Sequence, residues 1–368
     1  MTSKIAYLVS SRSWGGLEMN QLRNACWMRD NGYEVVLFCQ ANTSVYHAAK
    51  AEHDIKIELI EPHRKYYDFK RGKFLAQKIN ELKITHLIVR DTRDISLAVI
   101  AKRRLKKTLH LSYFMEMQLG VPKRNLLHTL RFSYIDIWSC PLHWLHQQVL
   151  ELTKMQPKKV VVIPSGIDLN QVESDLTPVQ ARSLLDLPQD EVIIGLIGRI
   201  DRQKGQLVLL QALNLLKNKN ICVCFLGEST FGEADGYVEQ LKDFLSQHNL
   251  EKRVFFRSFR RDIGVFYRAI NRLVMATNSE TFGMVTLEAL AHGVPVIASN
   301  SGGSPEILEY GRIGFLFDPM NPASLAEKIE SSLDFNLPFT IEDLRKRASG
   351  FDKDLMGLRI QEILKLKA

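Results

Sequence analysis

The sequence lacks the features that would mark a disulfide-built, membrane-spanning or metal-built protein. Its five cysteines, Cys26, Cys39, Cys140, Cys222 and Cys224, are odd in number and sit inside apolar runs. They read as buried thiols in a reducing compartment rather than as a disulfide framework. Cys222 and Cys224 alternate with Val223 and Phe225 in a strand-like run, and no second cysteine pair completes a zinc site. No stretch approaches the ~20 apolar residues needed to cross a bilayer. Residues 5–9 form only a short apolar run, followed at once by Ser10, Ser11 and Arg12, so no signal peptide is expected. Low-complexity tracts and short-period repeats are missing too. The expected location is cytoplasmic, with peripheral attachment to the inner face of the cytoplasmic membrane left open.

What is present is an ordinary globular composition in a chain too long for one core. Of 368 residues, 45% are hydrophobic and 24% charged, and two domains are the default at this length. The net charge of +8 is unevenly placed. Residues 1–164 hold 26 Lys/Arg against 14 Asp/Glu, and the remainder 23 against 27. The basic runs are Arg64-Lys65, Lys70-Arg71-Gly72-Lys73, residues 102–107 and Lys123-Arg124. A solvated helix face explains any one of them; their concentration in one half points to an anionic membrane surface or an acidic acceptor.

Short apolar runs alternate with longer amphipathic segments throughout. Strands are predicted at residues 5–9, 34–39, 57–60, 86–89, 110–114, 135–138 and 160–163. After Pro164-Ser165-Gly166 the rhythm breaks, with two prolines in residues 175–189. A second series then follows, at residues 192–197, 221–226, 254–256, 273–275 and 294–298. Continuous apolar strands indicate parallel sheets covered on both faces. Two βα series predict two doubly wound, Rossmann-like α/β domains facing a central cleft. Residues 352–366 are amphipathic and predict a terminal helix.

Each series carries a glycine-rich loop after its first strand: Ser13-Trp14-Gly15-Gly16, and Gly198 to Gly205 with Arg199 and Lys204 inside it. Neither has the spacing of a dinucleotide fingerprint or a P-loop, and a tight turn explains either alone. The stronger constellation is Thr277 to Ala289. A polar loop leaves a strand and enters a helix near Gly283, whose N–H groups and dipole form a site for a diphosphate. Glu280 lies before that helix and Glu288 about one and a half turns into it. Ionised carboxylates only accept hydrogen bonds, which suits sugar and ribose hydroxyls. The bland alternatives are a capping acid and a solvated helix residue. Gly302-Gly303 after the next strand forms another close-approach loop, and Arg199 and Lys204 can supply charge to a leaving diphosphate.

These residues resemble a known family. The E-x7-E element within S-E-T-F-G-M-V-T-L-E-A, then H-G-V-P-V-I-A-S and G-G-S-P-E-I, are similar to the signature of retaining glycosyltransferases of family 4, which have the GT-B fold. The resemblance extends to Gly15-Gly16, Pro164-Ser165-Gly166-Ile167-Asp168, the G-R-x4-K-G loop, Gly227, and G-x2-G-F-L-F-D-P at residues 311–319. It implies an acceptor-binding domain at residues 1–165, a donor-binding domain at 166–350, and a helix in 351–368 packing back on the first.

The resemblance also implies roles. Glu288 would hold ribose hydroxyls, Glu280 the transferred sugar, and Arg199 and Lys204 the diphosphate, helped by the amides of Gly283, Met284 and Val285 beside Phe282. Gly15, Gly16, Gly198 and Gly227 would allow close approach to phosphates. Ser258, Phe259 and Arg260 match the region that touches the base. The family often has glycine where Ser258 stands, so the base stays open, with a UDP-sugar the expected donor. The expected reaction is metal-free hexosyl transfer with retention, no cofactor beyond the donor substrate, and a glycan or lipid-linked acceptor in lipopolysaccharide or exopolysaccharide synthesis. Asp352-Lys353-Asp354 has a metal-binding D-x-D spacing but reads better as a helix cap.

One departure stands out. Many relatives carry a histidine in the loop after the fifth strand, where this chain has Ser112 to Gln118 without one. Glu116 could act as base or orient the acceptor there, or be a loop glutamate with neither role; Asp91 and Arg93 are weaker candidates. Two other classes remain: a GT-B phosphorylase, and a non-enzymatic binder of anionic ligands. Nucleic acid is not expected, since the basic runs lack an interleaved aromatic stripe, although Tyr66, Tyr67 and Phe69 come close to one.

Overall fold

The computed structural model describes residues 3–52, 54–105, 108–171, 176–229, 235–334 and 336–366. Lys106 and Lys107 of the basic run, and Asp175 at the start of the proline-flanked segment, lie outside them. The chain divides into two units, one of residues 1–166 with 353–368 and one of residues 167–352.

The first unit is built on β1 (Lys4–Val9), β2 (Glu34–Gln40), β3 (Lys56–Ile60), β4 (His86–Val89), β5 (His110–Phe114), β6 (Ile137–Cys140) and β7 (Val160–Val162). They form a parallel sheet of order β3-β2-β1-β4-β5-β6-β7. Side chains alternate across a strand, so β1 feeds two cores. Ala6 and Leu8 join one, and Ile5, Tyr7 and Val9 the other. Burial on both faces is why these strands read as continuous apolar runs. Ile360 and Leu364 of the helix Lys353–Leu364 enter the second core, and His86 Nε2 lies 3.3 Å from the Leu364 carbonyl oxygen. The terminal helix is therefore part of this unit.

The second unit repeats the plan with β8 (Val192–Ile197), β9 (Ile221–Leu226), β10 (Val254–Arg257), β11 (Arg272–Met275), β12 (Val296–Ser299) and β13 (Phe315–Phe317). Their order is β10-β9-β8-β11-β12-β13, again parallel. In both sheets the winding direction reverses beside the first strand, between β1 and β4 and between β8 and β11. Such switch points open a crevice at the carboxyl ends of the strands.

Three strands differ from expectation. β12 begins two residues later than its apolar run, because the Val294 N–H turns back to the Ala289 carbonyl and Pro295 has no N–H for the ladder. β6 begins two residues later than its apolar run suggests. The Asp136 carboxylate accepts the Leu111 N–H at 2.7 Å and the Lys102 ammonium at 2.5 Å, so Asp136 turns the chain into the sheet and pairing starts after it. β13 was not predicted as a strand; it is three residues long and pairs only with β12 among the described strands. All five cysteines are buried and free, and burial pushes the Cys26 and Cys224 thiols up to about 12, so neither is poised as a nucleophile.

Candidate functional site

In the second unit, the switch point brings together the loops after β8 and β11. Lys204, in the short turn Arg202–Lys204 after β8, places its ammonium 3.4 Å from the Glu280 carboxylate, in the loop after β11. Both side chains are partly exposed, so the pair is available to a ligand and contributes little to stability by itself. The Arg199 guanidinium leans toward Asp201 at 3.7 Å and is mostly exposed, while the backbone of Arg199 is fixed by Gln206, whose amide donates to its carbonyl at 2.7 Å.

The loop after β12 closes against Glu280. The Gly303 N–H donates to the Glu280 carbonyl at 2.8 Å, and Glu280 and Gly302 form an isolated parallel bridge. Gly302 has φ +65, and a Cβ there would run into the Glu280 backbone. Only glycine satisfies both demands. On the other side, Gly227 has φ +143 and passes so close to the Gly198 carbonyl that no side chain fits between the ends of β8 and β9.

Gly283 caps the helix Met284–Ala291: its carbonyl accepts the Thr286 and Leu287 N–H groups at 3.0 and 3.2 Å, and the Met284 and Val285 N–H groups ahead of them are the ones a helix start leaves for a ligand. Near it, the Thr286 hydroxyl is buried without a hydrogen-bond partner among the described residues, as is that of Ser299 at the end of β12. Phe282 is buried edge-on against Phe351, holding the loop before the helix.

Glu288 is positioned by a residue that motif reasoning missed. Tyr267, from the helix Gly264–Ala269, is buried and donates its hydroxyl to Glu288 Oε2 at 3.0 Å. Burial first, then the Glu288 charge, raises the phenol well above its usual range, so it remains a donor. Its ring stacks on His292 at 4.5 Å, and His292 Nδ1 lies 2.8 Å from the Glu288 carbonyl oxygen. In sequence Tyr267 lies within Val265-Phe266-Tyr267, a short apolar run that reads as core.

Ser258, Phe259 and Arg260 follow β10, three strands from β11 in the sheet order, a span of roughly 14 Å at ordinary strand spacing. Phe259 is 65% exposed. The Arg260 guanidinium makes two bonds to the Asp262 carboxylate, at 3.0 and 2.7 Å, and holds that carboxyl below its usual range. Because Tyr267 belongs to the helix after β10, Glu288 is tied to the same side of the sheet as this loop.

The first unit gathers a separate polar set beyond its strand ends. Glu116, after β5, is ion-paired with buried Arg90, which burial lowers to about 10. Asn20 donates to Glu116 at 3.4 Å and Ser165 at 3.5 Å. Gly15 donates its N–H to Glu18 at 3.0 Å at the start of the helix Gly16–Asp30, and a Cβ on Gly16 would meet open space. Asp91 pairs with exposed Arg93 at 3.2 Å. His63, after β3, was also missed. Its Nε2 lies 2.8 Å from Asp94 Oδ1, and Asp94 accepts both the backbone N–H and the hydroxyl of Ser10 across the β1/β4 switch point.

Two doubly wound parallel sheets in one chain, each with polar side chains gathered at its switch point, make up the GT-B architecture. Two family models match in tandem, Glycosyltransferase Family 4 over residues 14–171 and Glycosyl transferases group 1 over residues 180–349. The chain belongs to the group 1, family 4 glycosyltransferases. A D-inositol 3-phosphate glycosyltransferase of Corynebacterium jeikeium is 32% identical over 177 residues, 46% of this chain and 42% of that protein, so the chain aligns with less than half the length of that relative. Among solved structures, Anabaena HepE in complex with UDP superimposes with a TM-score of 0.87 at 22% identity, covering 98% of this chain and 99% of HepE. A glycosyltransferase from Rickettsia africae gives 0.87 at 22% identity, covering 99% and 98%.

Proposed function

We propose that this protein transfers a hexosyl group from a nucleoside-diphosphate sugar, with UDP as the expected nucleotide, to a hydroxyl of a glycan or glycolipid in cell-envelope polysaccharide synthesis. The observation that carries the reading is the convergence at the β8/β11 switch point of Lys204, Glu280 and the amide end of the Met284–Ala291 helix. A diphosphate laid there meets a cation and helix N–H groups, and a hexose beyond it meets the Glu280 carboxylate. Glu288, held by Tyr267, faces the ribose, and the loop of Ser258, Phe259 and Arg260 faces the base. The UDP bound in Anabaena HepE supports the choice of nucleotide.

The reaction proceeds with retention. As the anomeric C–O bond breaks, negative charge develops on the β-phosphate, and Lys204, Arg199 and the helix amides stabilise it without a metal. The acceptor hydroxyl attacks from the face the diphosphate leaves, and its proton passes to the leaving phosphate oxygen. Glu116, neutralised by Arg90, is a positioning residue for the acceptor rather than its base. The acceptor half works at the inner face of the cytoplasmic membrane, where the excess of Lys and Arg meets anionic lipid.

A panel of nucleotide sugars, read by slow donor hydrolysis and by thermal shift, tests this. One donor, expected to be a UDP-sugar, should be hydrolysed and should raise Tm; Lys204→Ala should slow that hydrolysis by roughly a hundredfold or more with an unchanged ligand-free Tm. Failure of every nucleotide sugar in both assays would sink the proposal.

A further inference from the structure

Apart from the strand ends, the first unit has a cavity of about 390 Å³ with a mainly apolar lining. Tyr66, Tyr67, Phe69, Ile100 and Leu130 supply that lining, Arg103 and Arg131 contribute charge, and no acidic residue borders it among the described residues. Beside it the helix Leu126–Ser133 is turned the wrong way for a soluble surface. Leu126 is 82% exposed, Leu127 62% and Leu130 53%, while Phe132 is buried. Tyr67 at 64% and Phe69 at 56% continue the apolar face. Scattered exposed leucines need no explanation, but a contiguous group around a cavity does.

The charged side chains of the cavity lining are all basic, and the nearest acid in sequence, Asp68 between Tyr67 and Phe69, is engaged as the cap of the helix Phe69–Glu81. Lys65 and Arg131 both lie over the Tyr66 ring, at 5.6 and 5.3 Å, and Arg103 lies over Tyr134 at 5.6 Å. Arg124 is exposed immediately before the helix cap Asn125. Arg131 donates from Nη2 to the Thr92 carbonyl at 3.0 Å, but its Nε and Nη1 are buried without an acceptor among the described residues. A desolvated guanidinium set against the neutral aromatic side chains Tyr66 and Phe132, beside an apolar cavity, fits an anion attached to a hydrocarbon.

We infer that this face binds an anionic lipid bilayer, with Leu126, Leu127 and Leu130 entering the acyl boundary, one lipid chain filling the cavity, and Arg131 and Arg103 meeting the head-group phosphate. The inference rests on the reading of a membrane-carried acceptor and specifies it. The attachment is partly apolar, so binding does not vanish at high salt as a purely electrostatic contact would.

The test is co-sedimentation of the full chain with phosphatidylglycerol or phosphatidylcholine vesicles at low and high salt, beside donor hydrolysis. The wild type should prefer phosphatidylglycerol and keep a salt-resistant fraction. A Leu126→Ser/Leu127→Ser/Leu130→Ser variant, changed only at exposed positions, should bind roughly tenfold more weakly or worse, with unchanged Tm and donor hydrolysis. Arg131→Gln should reduce the preference for phosphatidylglycerol over phosphatidylcholine. Equal binding by the triple variant, equal binding to both lipids, or full release by inorganic phosphate would overturn the inference. So would a dimer that the triple variant abolishes, without vesicle binding, because the face would then be a protein interface. Lost lipid binding with donor hydrolysis intact sinks this inference alone; intact lipid binding without any donor response sinks only the transferase reading.

Discussion

The carboxylate proposed to recognise the ribose must be held in place, and the Tyr267 phenol donates to Glu288. In a Tyr267→Phe variant the ring still packs on His292 but the 3.0 Å bond to Glu288 is gone. A hydrogen bond to a charged group contributes about 1.5–3 kcal/mol. The expected result is a rise of roughly tenfold or more in donor KM, with kcat changed far less, because the ribose is remote from the breaking bond. A fall in kcat at constant KM would place Tyr267 in a different role. His63 gives a second prediction, about pH. Its Nδ1 faces the Arg64 carbonyl at 2.9 Å and its Nε2 faces the Asp94 carboxylate at 2.8 Å. Both neighbours only accept, so the protonated ring is the form that satisfies both contacts. Burial pulls its pKa down, but the bonds to Asp94 and Arg64 outweigh this and the net shift is upward. A raised folded-state pKa gives stability that is full below the unfolded value of about 6.5 and lost as pH rises through the folded value. The Tm gap between wild type and His63→Asn should therefore narrow as pH increases. A gap that widened with pH would mean the ring is buried neutral.

At the scale of elements, the proposed donor site is a set of loops held together by close backbone approach. Gly302→Ala adds a Cβ at φ +65 that collides with the Glu280 backbone. Strain of this kind costs about 1–3 kcal/mol and is relieved by separating the two loops. The variant should fold with a lowered Tm, and the donor-induced Tm shift should disappear, since Glu280 moves with its carbonyl. An unchanged donor shift would show that the bridge to Gly302 does not position Glu280. These elements were not equally legible in sequence. Most strands were, because burial on both faces writes an unbroken apolar run. β13 was not, since three residues carry too little pattern, and β6 slid because Asp136 outweighed the hydrophobicity of Ile135. The glycine loops and the two glutamates were visible as local motifs. Tyr267 was not, because its partner lies 21 residues away and only the fold brings them together. The two cations of the loop after β8 looked equivalent, yet Lys204 reaches Glu280 whereas Arg199 turns to Asp201, a rotamer choice that spacing does not encode.

Over the whole molecule, the two units have the same winding but opposite charge balance, and their sites gather different chemistry. Apart from Gly15 and Gly16, the residues proposed for a nucleotide lie in residues 167–352, and the excess of Lys and Arg lies in the other unit. Nucleotide binding should therefore show an uneven pattern of protection. A ligand that binds only the folded state stabilises by about 2.7 kcal/mol at a hundred times its Kd, and locally it protects the amides it contacts or whose opening it prevents. Amide exchange with UDP should slow most at residues 198–205, 258–260, 279–288 and 302–303, the loops after β8, β10, β11 and β12. The core amides of β4 and β5 in the first unit should change little, because no donor contact is assigned to that sheet. The separation is needed because a nucleotide could bind the basic half through charge alone. In that case protection would centre on residues 64–73 and 123–131 and fade with added salt, leaving Lys204 and Glu280 without a role in donor binding.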